Sequence, residues 1–455
     1  MAAARPVREA ASGGDWLTFG FDNARTGENP SEHQLGPGNV GSLAPLWSAD
    51  LGGASNTQPL VASGVQTPGG RHDLVLAGSE TGLLSAVDSR TGAVVWRREL
   101  GHTHTSCPDL PGGVYGVTST PVIDAAAGVV YVAGGDDRLY ALDLGTGATR
   151  RGWPVGIGAR RRTDHVWGAL ALSGGLLYAA TASYCDKTFY VGRVTAVDTH
   201  RPRPVATWYP VTRRHHGGGV WGWGGVAVDG RDGSVYAATA NAQVGVPETY
   251  GLAEHVVRLS ARLRVLAADR PQLPRRQDDD FGATPVLYQA PGCPAQLAVV
   301  HKTGALLVYD LGAIASGARQ QLQIASDRAL SSFGTYAYSR AQNMLVVSNP
   351  SDSSGPYRHG LLAFAVGTDC RLALRWQAST GPATGPPSPP IVAGGVVYVA
   401  TGEAPGIAAF DAATGGELWS SGNLIQKAVY AAPTVAGGRL YAVSWDHRLY
   451  AFGLQ

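Results

Sequence analysis

A segment of about fifty residues recurs along the chain, and this repetition restricts the possible folds more than any other feature of the sequence. Each copy combines a short apolar strand, a Gly-x-Val/Leu-Tyr strand, a strand ending in Asp, then Thr-Gly and Trp. The copy at residues 116–157 is the clearest, with Leu-Tyr-Ala-Leu-Asp at 139–143 and then Thr146-Gly147. Other copies are predicted at 57–100 and from near Trp167, Gly225, Ala283, Thr335, Pro389 and Ala432.

Each copy predicts four short strands separated by Gly, Asp and Asn turns. One such sheet cannot bury both of its faces, whereas sheets stacked radially around an axis bury them against one another. The last copy lacks a fourth strand, and residues 43–48 have the pattern of an orphan fourth strand. The sequence therefore predicts an all-β chain, with a single eight-bladed β-propeller of four-stranded blades at 43–455. An N-terminal strand completes the last blade and closes the ring, after an N-terminal extension at 1–42.

Charge and hydropathy indicate which partners and compartments to expect. The formal net charge is only +2, so no strong field favours nucleic acid, and no nucleic-acid partner is expected. The sequence contains no run of about 18 apolar residues, so no transmembrane segment is predicted. The N-terminal residues lack the apolar core of a signal peptide. We expect a secreted or extracytoplasmic protein whose signal has been removed, with a cytoplasmic location as the alternative.

The chain contains four cysteines, each beside turn residues. An even number of loop cysteines predicts two disulfides and an oxidising compartment. We predict the pairs Cys107–Cys185 and Cys293–Cys370, since each pair would join neighbouring blades; four free thiols are the alternative. Neither C-x-x-C nor C-x-x-C-H occurs, so neither a zinc site nor a covalent haem is expected on this chain.

The phrase Ala-x-Asp-x-x-Thr-Gly-x-x-x-Trp resembles the repeat of quinoprotein alcohol dehydrogenases, which use pyrroloquinoline quinone (PQQ). The resemblance covers about residues 43–455 and extends to a branch that oxidises polymeric alcohols. The same repeat occurs in outer-membrane assembly scaffolds that bind no cofactor. Fold alone therefore does not assign the function, and the internal motifs must be weighed.

Two motifs resemble the cofactor and metal segments of the dehydrogenases. Residues 217–223 read Gly-Gly-Gly-Val-Trp-Gly-Trp, which implies that Trp221 lies under the planar quinone, because an indole face suits a flat conjugated ring. Trp223 is a second candidate for cofactor contact, although a plug between blades is the favoured role, and both tryptophans acting as plugs is the alternative. Residues 236–241 resemble the strand end whose Asn binds calcium, which implies that Asn241 is an oxygen ligand; a plain turn Asn is the alternative.

Two further motifs follow in the same order as in the family. Residues 278–285 resemble the segment that carries the catalytic base, which implies that Asp280 is both base and metal neighbour, with Asp279 as the adjacent alternative. A solvated acidic loop is the other interpretation. The turn around Lys302 resembles the cationic turn that bonds the quinone oxygens, so Lys302 would stabilise developing negative charge; an exposed hairpin Lys is the alternative.

The chain also departs from the family pattern. The family has two adjacent cysteines over the quinone, whereas only Cys107 is present here, and Gly112-Gly113 replaces an Arg. Cys107 is nevertheless a candidate for cofactor contact. The calcium-binding Glu of blade 3 has no clear counterpart, because Lys187 occupies its aligned position. Asp186 is the nearest carboxylate and the candidate third metal ligand.

Several other residues are candidates for the axial funnel. His215 and His216 are adjacent, so their side chains point to opposite faces and rarely bind one metal together. His165 could act as a general base near the axis. The remaining candidates are Trp167, Tyr336, Lys427 and Tyr430.

The leading functional hypothesis is a PQQ- and calcium-dependent enzyme that oxidises an alcohol, with hydride passing to the quinone in the axial funnel. The expected partners are a small-molecule or polymeric alcohol and an external electron acceptor. The first alternative is a propeller with a degenerate cofactor site that acts as a binding or scaffold protein. The second alternative is a propeller recruited to non-redox acid–base chemistry in the funnel.

Overall fold

A computed structural model describes residues 14–160, 162–243, 250–274, 278–326, 336–382 and 387–455. These residues form eight sheets that follow one another along the chain, as predicted for an eight-bladed propeller. Thr335, predicted to begin the sixth repeat copy, and residues 1–13 of the predicted extension lie outside the described residues. Among the described residues, no helix is long and apolar enough to cross a membrane.

The blades are numbered in chain order, and their strands are given from the first to the fourth. Blade 1 contains Leu60–Thr67, Gly70–Gly78, Leu83–Asp88 and Val94–Glu99; blade 2 contains Val122–Asp124, Val129–Ala133, Arg138–Asp143 and Val155–Gly156. Blade 3 contains Ala171–Ser173, Leu176–Ala182, Arg193–Asp198 and Arg203–Trp208, with His165–Val166 also paired to its second strand; blade 4 contains Ala227–Val228, Val235–Ala238, Val256–Leu259 and Val265–Asp269.

Blade 5 contains Val286–Tyr288, Gln296–Val300, Ala305–Asp310 and Gln320–Gln323; blade 6 contains Ala337–Ser339, Met344–Asn349, Gly360–Val366 and Leu372–Ala378. Blade 7 contains Ile391–Ala393, Val396–Ala400, Ile407–Asp411 and Glu417–Ser420, with Glu28–Asn29 added in parallel to its first strand; blade 8 contains Thr434–Ala436, Arg439–Val443, Arg448–Gly453 and Ala44–Asp50. A separate two-stranded ribbon joins Thr103–His104 to Val114–Tyr115, and short 3₁₀ turns lie at Val40–Ser42, Pro111–Gly113, Tyr184–Asp186, Leu311–Ser316 and Gly422–Leu424.

The ring closes as the sequence predicted. Ala44–Asp50 pairs antiparallel with Arg448–Gly453, so that Ala44 lies opposite Gly453. The fourth strand of the last blade therefore comes from the other end of the chain. Closure of this kind removes the free sheet edges that would otherwise pair with other molecules.

The recurring Asp, Thr-Gly and Trp hold neighbouring blades together. Asp88 accepts hydrogen bonds from the Thr91 amide and hydroxyl at 2.9 and 2.8 Å, which closes the turn between the third and fourth strands. The Trp96 indole then donates to the Leu144 carbonyl of blade 2 at 2.9 Å. Gly147 packs over that indole, and a Cβ there would lie 2.6 Å from the ring. The Trp of one blade therefore requires the Gly of the next.

Part of the predicted N-terminal extension, residues 16–29, lies at the centre of the ring. The segment from Trp16 to Asn29 forms a hydrogen bond with every blade in turn. One short segment can reach all eight first strands only if these strands surround the axis, so the segment fills the centre of the ring. Its partners in blade order are Val61, Ile123, Leu172, Val228, Leu287, Tyr338, Val392 and Val435.

Arg25 lies at the centre of this segment and is 0% exposed. Its guanidinium donates to the carbonyls of Phe19, Leu170 and Val226 at 2.9, 3.1 and 3.0 Å, and to the Thr18 hydroxyl at 3.0 Å. Burial lowers the pKa of Arg25 to about 10, so the side chain remains charged at neutral pH. Arg25 thus satisfies backbone acceptors of the segment and of blades 3 and 4.

Arg25→Met is expected to lower the free energy of unfolding by at least about 3 kcal/mol, because three buried carbonyls each lose their donor at a cost of about 1–3 kcal/mol. Urea unfolding monitored by tryptophan fluorescence measures this loss. Arg98→Met, on the exposed fourth strand of blade 1, is the matched control and should change stability by less than about 0.5 kcal/mol. Equal losses in the two variants would contradict the central role of Arg25.

Both predicted disulfides are present, with Cys107 bonded to Cys185 and Cys293 to Cys370. The first joins the connection between blades 1 and 2 to the loop that follows the second strand of blade 3. The second joins blade 5 to blade 6. The described residues include no free cysteine.

Candidate functional site

The candidate site is built from turns that leave the second strand of several blades. In blade 5 this turn is residues 301–304, and the His301 amide donates to the Ala305 carbonyl at 2.9 Å to close it. Because strands alternate in direction, the equivalent turn of every blade emerges at the same end of the ring. The second residue of each turn is therefore held at that end, and in blade 5 it is Lys302.

Lys302 forms a buried ion pair at the centre of the site. Its Nζ lies 2.8 Å from Asp280 Oδ1 and 2.9 Å from Asp278 Oδ1. The other Asp280 oxygen accepts the Asn241 backbone N–H at 3.0 Å. The Asp280 side chain is 1% exposed and the Asp278 side chain 44% exposed, so Asp280 is the inner partner.

The charges of this pair are strongly coupled. Burial raises the pKa of Asp280 above its usual value, and the neighbouring Lys302 only partly offsets this. Burial alone would lower the pKa of Lys302, but the carboxylates of Asp280 and Asp278 raise it above its ordinary value. Lys302 is therefore a fixed cation at neutral pH. Because Lys302 is buried, it is not the exposed hairpin lysine of the alternative interpretation. Because Asp280 is buried, it does not belong to a solvated acidic loop.

Asp186 adds a third carboxylate beside this pair. Although the residue is exposed, its carboxyl is crowded by protein atoms; desolvation and then the charge of Asp280 raise its pKa to about 7. The Tyr190 hydroxyl donates to this carboxyl and itself accepts the Gly219 N–H at 3.2 Å. The cluster therefore holds three carboxylates and one ammonium group. We call Asp186, Asp278, Asp280 and Lys302, with Asn241, the carboxylate centre.

Tyr190 connects Trp221 to the carboxylate centre, because Tyr190 contacts both Trp221 and Asp186. The Tyr190 and Trp221 rings meet edge-on at 6.5 Å and 69°, and Trp167 meets Trp221 edge-on at 5.9 Å and 74°. A Cβ at Gly219 would lie 2.8 Å from the Trp221 indole nitrogen, so the glycine permits this approach. Trp221 is 8% exposed and belongs to one apolar cluster with Cys107, Leu110, Tyr115, Trp167, Ala182, Tyr184 and Ala240.

The structure thus brings together Asp186, Asn241, Asp280 and Lys302, with Trp221 beside them. Cys107 and Trp167 belong to the apolar cluster of Trp221, and the remaining candidates have other contacts. Asp279 is buried, Trp223 packs on Trp167 at 4.6 Å, and His165 accepts the Tyr184 N–H at 3.3 Å. The Tyr336 hydroxyl accepts the Val300 N–H at 2.7 Å, Lys427 is exposed, and Tyr430 packs on Trp445 at 4.9 Å. His215 and His216 are half-buried and pack on Tyr250 and Phe189.

Sequence reasoning missed Tyr190, Asp278 as an ion-pair partner, and Glu80. Glu80 occupies the same turn position in blade 1 as Lys302 in blade 5, so alignment of the repeats could have found it. It is buried and accepts hydrogen bonds from Thr118 at 2.6 Å and Asn56 at 2.7 Å, and burial raises its pKa to about 6. No pattern in the sequence singled out Tyr190.

Comparison with known proteins agrees with this architecture. The PQQ_2 family profile, described as outer membrane protein assembly factor BamB, matches residues 22–205 and 372–454. The 1-butanol dehydrogenase (cytochrome c) of Thauera butanivorans is 29% identical over 31% of this chain and 19% of its own length. The dehydrogenase subunit of the alcohol dehydrogenase (quinone) of Komagataeibacter europaeus is 30% identical over 30% of this chain and 16% of its own length. The matched part of this chain spans less than a fifth of either relative.

Solved structures share the fold at low identity. The quinohemoprotein alcohol dehydrogenase of Comamonas testosteroni gives a TM-score of 0.73 at 17% identity, over 98% of this chain and 81% of that chain. A europium-containing methanol dehydrogenase gives 0.71 at 13% identity, over 98% and 99%. BamB from Moraxella catarrhalis gives 0.56 at 16% identity, over 91% and 98%. These likenesses establish a propeller architecture and leave the chemistry to the site.

Proposed function

We propose, from the premise that this chain belongs to the PQQ-like β-propeller family, that it is an oxidoreductase that oxidises an alcohol with PQQ and calcium. The observation that carries the proposal is the carboxylate centre. Four residues from separate parts of the chain, Asp186, Asn241, Asp280 and Lys302, converge beside Trp221. In the quinoprotein dehydrogenases the corresponding motifs serve the metal, the base and the quinone.

The carboxylate centre has the charge and the oxygen donors that a divalent cation requires, although Asp186, Asp278 and Asp280 do not have their oxygens within 4.8 Å of one another and would have to draw together around the ion. It presents three carboxylates against one ammonium group, and burial, with a neighbouring carboxylate as a further cause, raises the pKa values of Asp186 and Asp280. Calcium takes six to eight oxygen ligands, and carboxylates and amide carbonyls are the oxygens that it prefers. Asp186, Asp280 and the Asn241 side chain would hold the ion. A bound cation would also favour the ionised forms of both carboxylates.

The polar groups of the site suit the quinone, whereas the face of Trp221 is largely covered. Lys302 and a cation in the carboxylate centre would suit its oxygen-rich edge, and Trp221 offers an aromatic face beside them. Only 8% of Trp221 is exposed, so a planar ligand can stack on it only after the apolar cluster around Cys107 and Leu110 moves. When bound, the quinone would supply the hydride acceptor that no side chain of the protein can provide.

The side chains of the chain have distinct tasks in this proposal. Asp280 accepts the hydroxyl proton of the alcohol on a carboxylate oxygen. Lys302 and the Asn241 N–H bond that carboxylate from two sides and fix its orientation. The Tyr190 hydroxyl orients Asp186 as a metal ligand in the same way. Asp280 is favoured over Asp279 because Asp280 forms the ion pair with Lys302.

The proposal also concerns the partner and the compartment. The chain has no haem-binding motif, so electrons must leave to an external acceptor. Two disulfides favour an oxidising, extracytoplasmic compartment.

The second candidate function is a binding or scaffold propeller without the quinone. The observation that favours it is the closed apolar cluster over Trp221. This candidate keeps the fold and the carboxylate centre but gives them no redox role.

Titration with PQQ, with and without calcium, tests the first function against the second. We expect calcium-dependent binding, monitored by quenching of tryptophan fluorescence, to weaken at least about tenfold in Asp280→Asn and in Trp221→Ala. Trp419→Phe changes a Trp between blades 7 and 8, which donates to the Leu43 carbonyl, and is the control that should bind normally. Calcium should bind more weakly below about pH 7, because Asp186 takes up a proton there.

An alcohol screen with an artificial dye acceptor would follow positive binding. Absence of PQQ binding at micromolar concentrations in the presence of calcium would contradict the dehydrogenase and favour the binding propeller. Binding that is equal in the Trp221→Ala and Trp419→Phe variants would contradict the assigned place of the quinone.

A further inference from the structure

Two large aromatic side chains are exposed next to the carboxylate centre. Phe189 is 60% exposed and Tyr250 is 43% exposed. Large aromatic side chains are normally buried or at interfaces, because exposing them forgoes the free energy of burial. Exposed rings at one place therefore indicate a surface that meets a ligand.

The two aromatic side chains flank a pair of histidines. The His215 ring stacks on Tyr250 at 3.9 Å and 13°, and the His216 ring meets Phe189 at 5.1 Å and 70°. Since His215 and His216 are neighbours in sequence, Phe189 and Tyr250 both pack against one dipeptide. The four rings therefore belong to one surface patch.

The same surface is positively charged. Arg213 and Arg214 immediately precede the histidines and are exposed. The Arg213 guanidinium lies 5.9 Å from the centre of the Tyr209 ring. We call Phe189, Arg213, Arg214, His215, His216 and Tyr250 the aromatic–basic rim.

The rim is joined directly to the carboxylate centre. The Gln243 side chain accepts the Phe189 N–H at 2.9 Å and donates to the Asp186 carbonyl at 3.1 Å. Phe189 and Asp186 also belong to the same loop of blade 3, three positions apart. A chain-like ligand on the rim would therefore have one part close to the carboxylates.

We propose that the aromatic–basic rim binds an acidic polysaccharide, whose hydroxyls are the alcohols presented to the carboxylate centre. Aromatic faces pack against the C–H faces of sugar rings, and arginines pair with uronate carboxylates. The ring hydroxyls supply an oxidisable group, which a protein or a synthetic polyanion lacks at this density. The inference that the polysaccharide is a substrate rests on the proposed function. Its binding to the rim does not depend on that function.

The test measures binding of alginate to the full chain by biolayer interferometry, without quinone. The comparison ligands are dextran, a neutral polysaccharide, and single-stranded DNA, an anion with bases that also stack on aromatic rings. We expect alginate to bind at least about tenfold more tightly than dextran, and its affinity to fall as salt screens the arginines. Alginate should also bind more tightly than the DNA.

Matched double variants separate the aromatic and the charged contributions. Phe189→Ser with Tyr250→Ser, and Arg213→Ser with Arg214→Ser, should each weaken alginate binding about tenfold, since each contact contributes about 0.5–1.5 kcal/mol. Val94→Ser with Arg98→Ser, on the exposed fourth strand of blade 1, is the control that should change affinity less than about twofold. Thermal unfolding of each variant verifies that the fold is retained.

The outcomes keep this inference separate from the proposed function. Alginate that binds no more tightly than dextran, or rim variants that match the control, would overturn the inference even if PQQ binds. If DNA binds as tightly as alginate, the rim recognises only negative charge and stacking rings rather than a sugar. That result would also overturn the inference. If alginate binds but PQQ does not, the polysaccharide remains the ligand of the rim, and its role as an oxidised substrate is refuted.

Discussion

Lys302→Met is expected to lower the free energy of unfolding by about 3–5 kcal/mol at neutral pH, the usual cost of removing one partner of a buried ion pair. The reason is the environment of Asp280, whose side chain is 1% exposed and keeps no other cation at hydrogen-bond distance among the described contacts. Without Lys302, Asp280 must either stay charged in a dry site or take up a proton. Either outcome costs folding free energy at neutral pH.

The pH dependence of this loss has a definite sign. Burial raises the pKa of Asp280 in the folded protein even with Lys302 present, and loss of the ammonium group would raise it further. The folded state then holds a proton that the unfolded state has released, so the variant gains stability as pH falls. The deficit relative to wild type should therefore be largest above pH 7 and smaller towards pH 4, where the Asp280 carboxyl begins to take up a proton in the unfolded state as well.

Urea unfolding at several pH values measures this effect, and two variants serve as its controls. Asp278→Asn removes the partner that is 44% exposed and should cost less than about 1 kcal/mol, as is typical of surface pairs. Combining Lys302→Met with Asp280→Asn should recover part of the loss, because no buried charge remains. A Lys302→Met loss no larger than that of Asp278→Asn would show that Lys302 is not the counter-ion of a buried carboxylate.

Removal of the Cys107–Cys185 disulfide is expected to destabilise the protein and also to weaken cation binding. The bond closes a loop of 78 residues in sequence, for which the chain-entropy model gives about 4.5 kcal/mol of stability. Cys185 immediately precedes Asp186, and both residues have positive φ angles of 52° and 41°. Without the bond, this uncommon backbone conformation loses its tether, and the Asp186 carboxyl is less well held in the carboxylate centre.

The second disulfide provides a matched control. Cys293–Cys370 closes a loop of 77 residues, so its loss should cost nearly the same stability. It lies between blades 5 and 6 and does not hold Asp186. Calcium affinity measured by calorimetry should fall at least about tenfold in Cys107→Ala with Cys185→Ala, and remain near wild type in Cys293→Ala with Cys370→Ala. Equal calcium affinities in the two double variants would contradict the tethering role.

The sequence predicted the repeating part of the architecture because that part depends on short-range patterns. Asp88, Thr91 and the equivalent residues of other blades act within one turn, and each Trp acts on the next blade along the chain. The spacing of the repeat was enough to show that the last copy lacks a fourth strand. The same adjacency of successive blades allowed both cysteine pairs to be predicted.

The sequence pointed to Asp280, Asn241 and Lys302 through their order along the chain, and their roles stay predictions. Which carboxylate pairs with Lys302 could not be predicted, because Asp278, Asp279 and Asp280 are consecutive and differ only in burial. The sequence analysis also missed that residues 16–29 form a segment at the centre of the ring. Its hydrogen bonds join positions up to 406 residues apart, and no local pattern reports such contacts.

The sequence by itself therefore determined the blade, the number of blades, the closure of the ring and the disulfide pairs. Only the tertiary structure decided that Arg25 fills the centre, that Lys302 is buried between carboxylates, and that burial and Asp280 raise the pKa of Asp186 to about 7. The physical reason is that periodic patterns encode contacts within and between adjacent blades. Burial and electrostatic coupling at the axis depend instead on all the blades converging, which brings together residues that are far apart in the sequence.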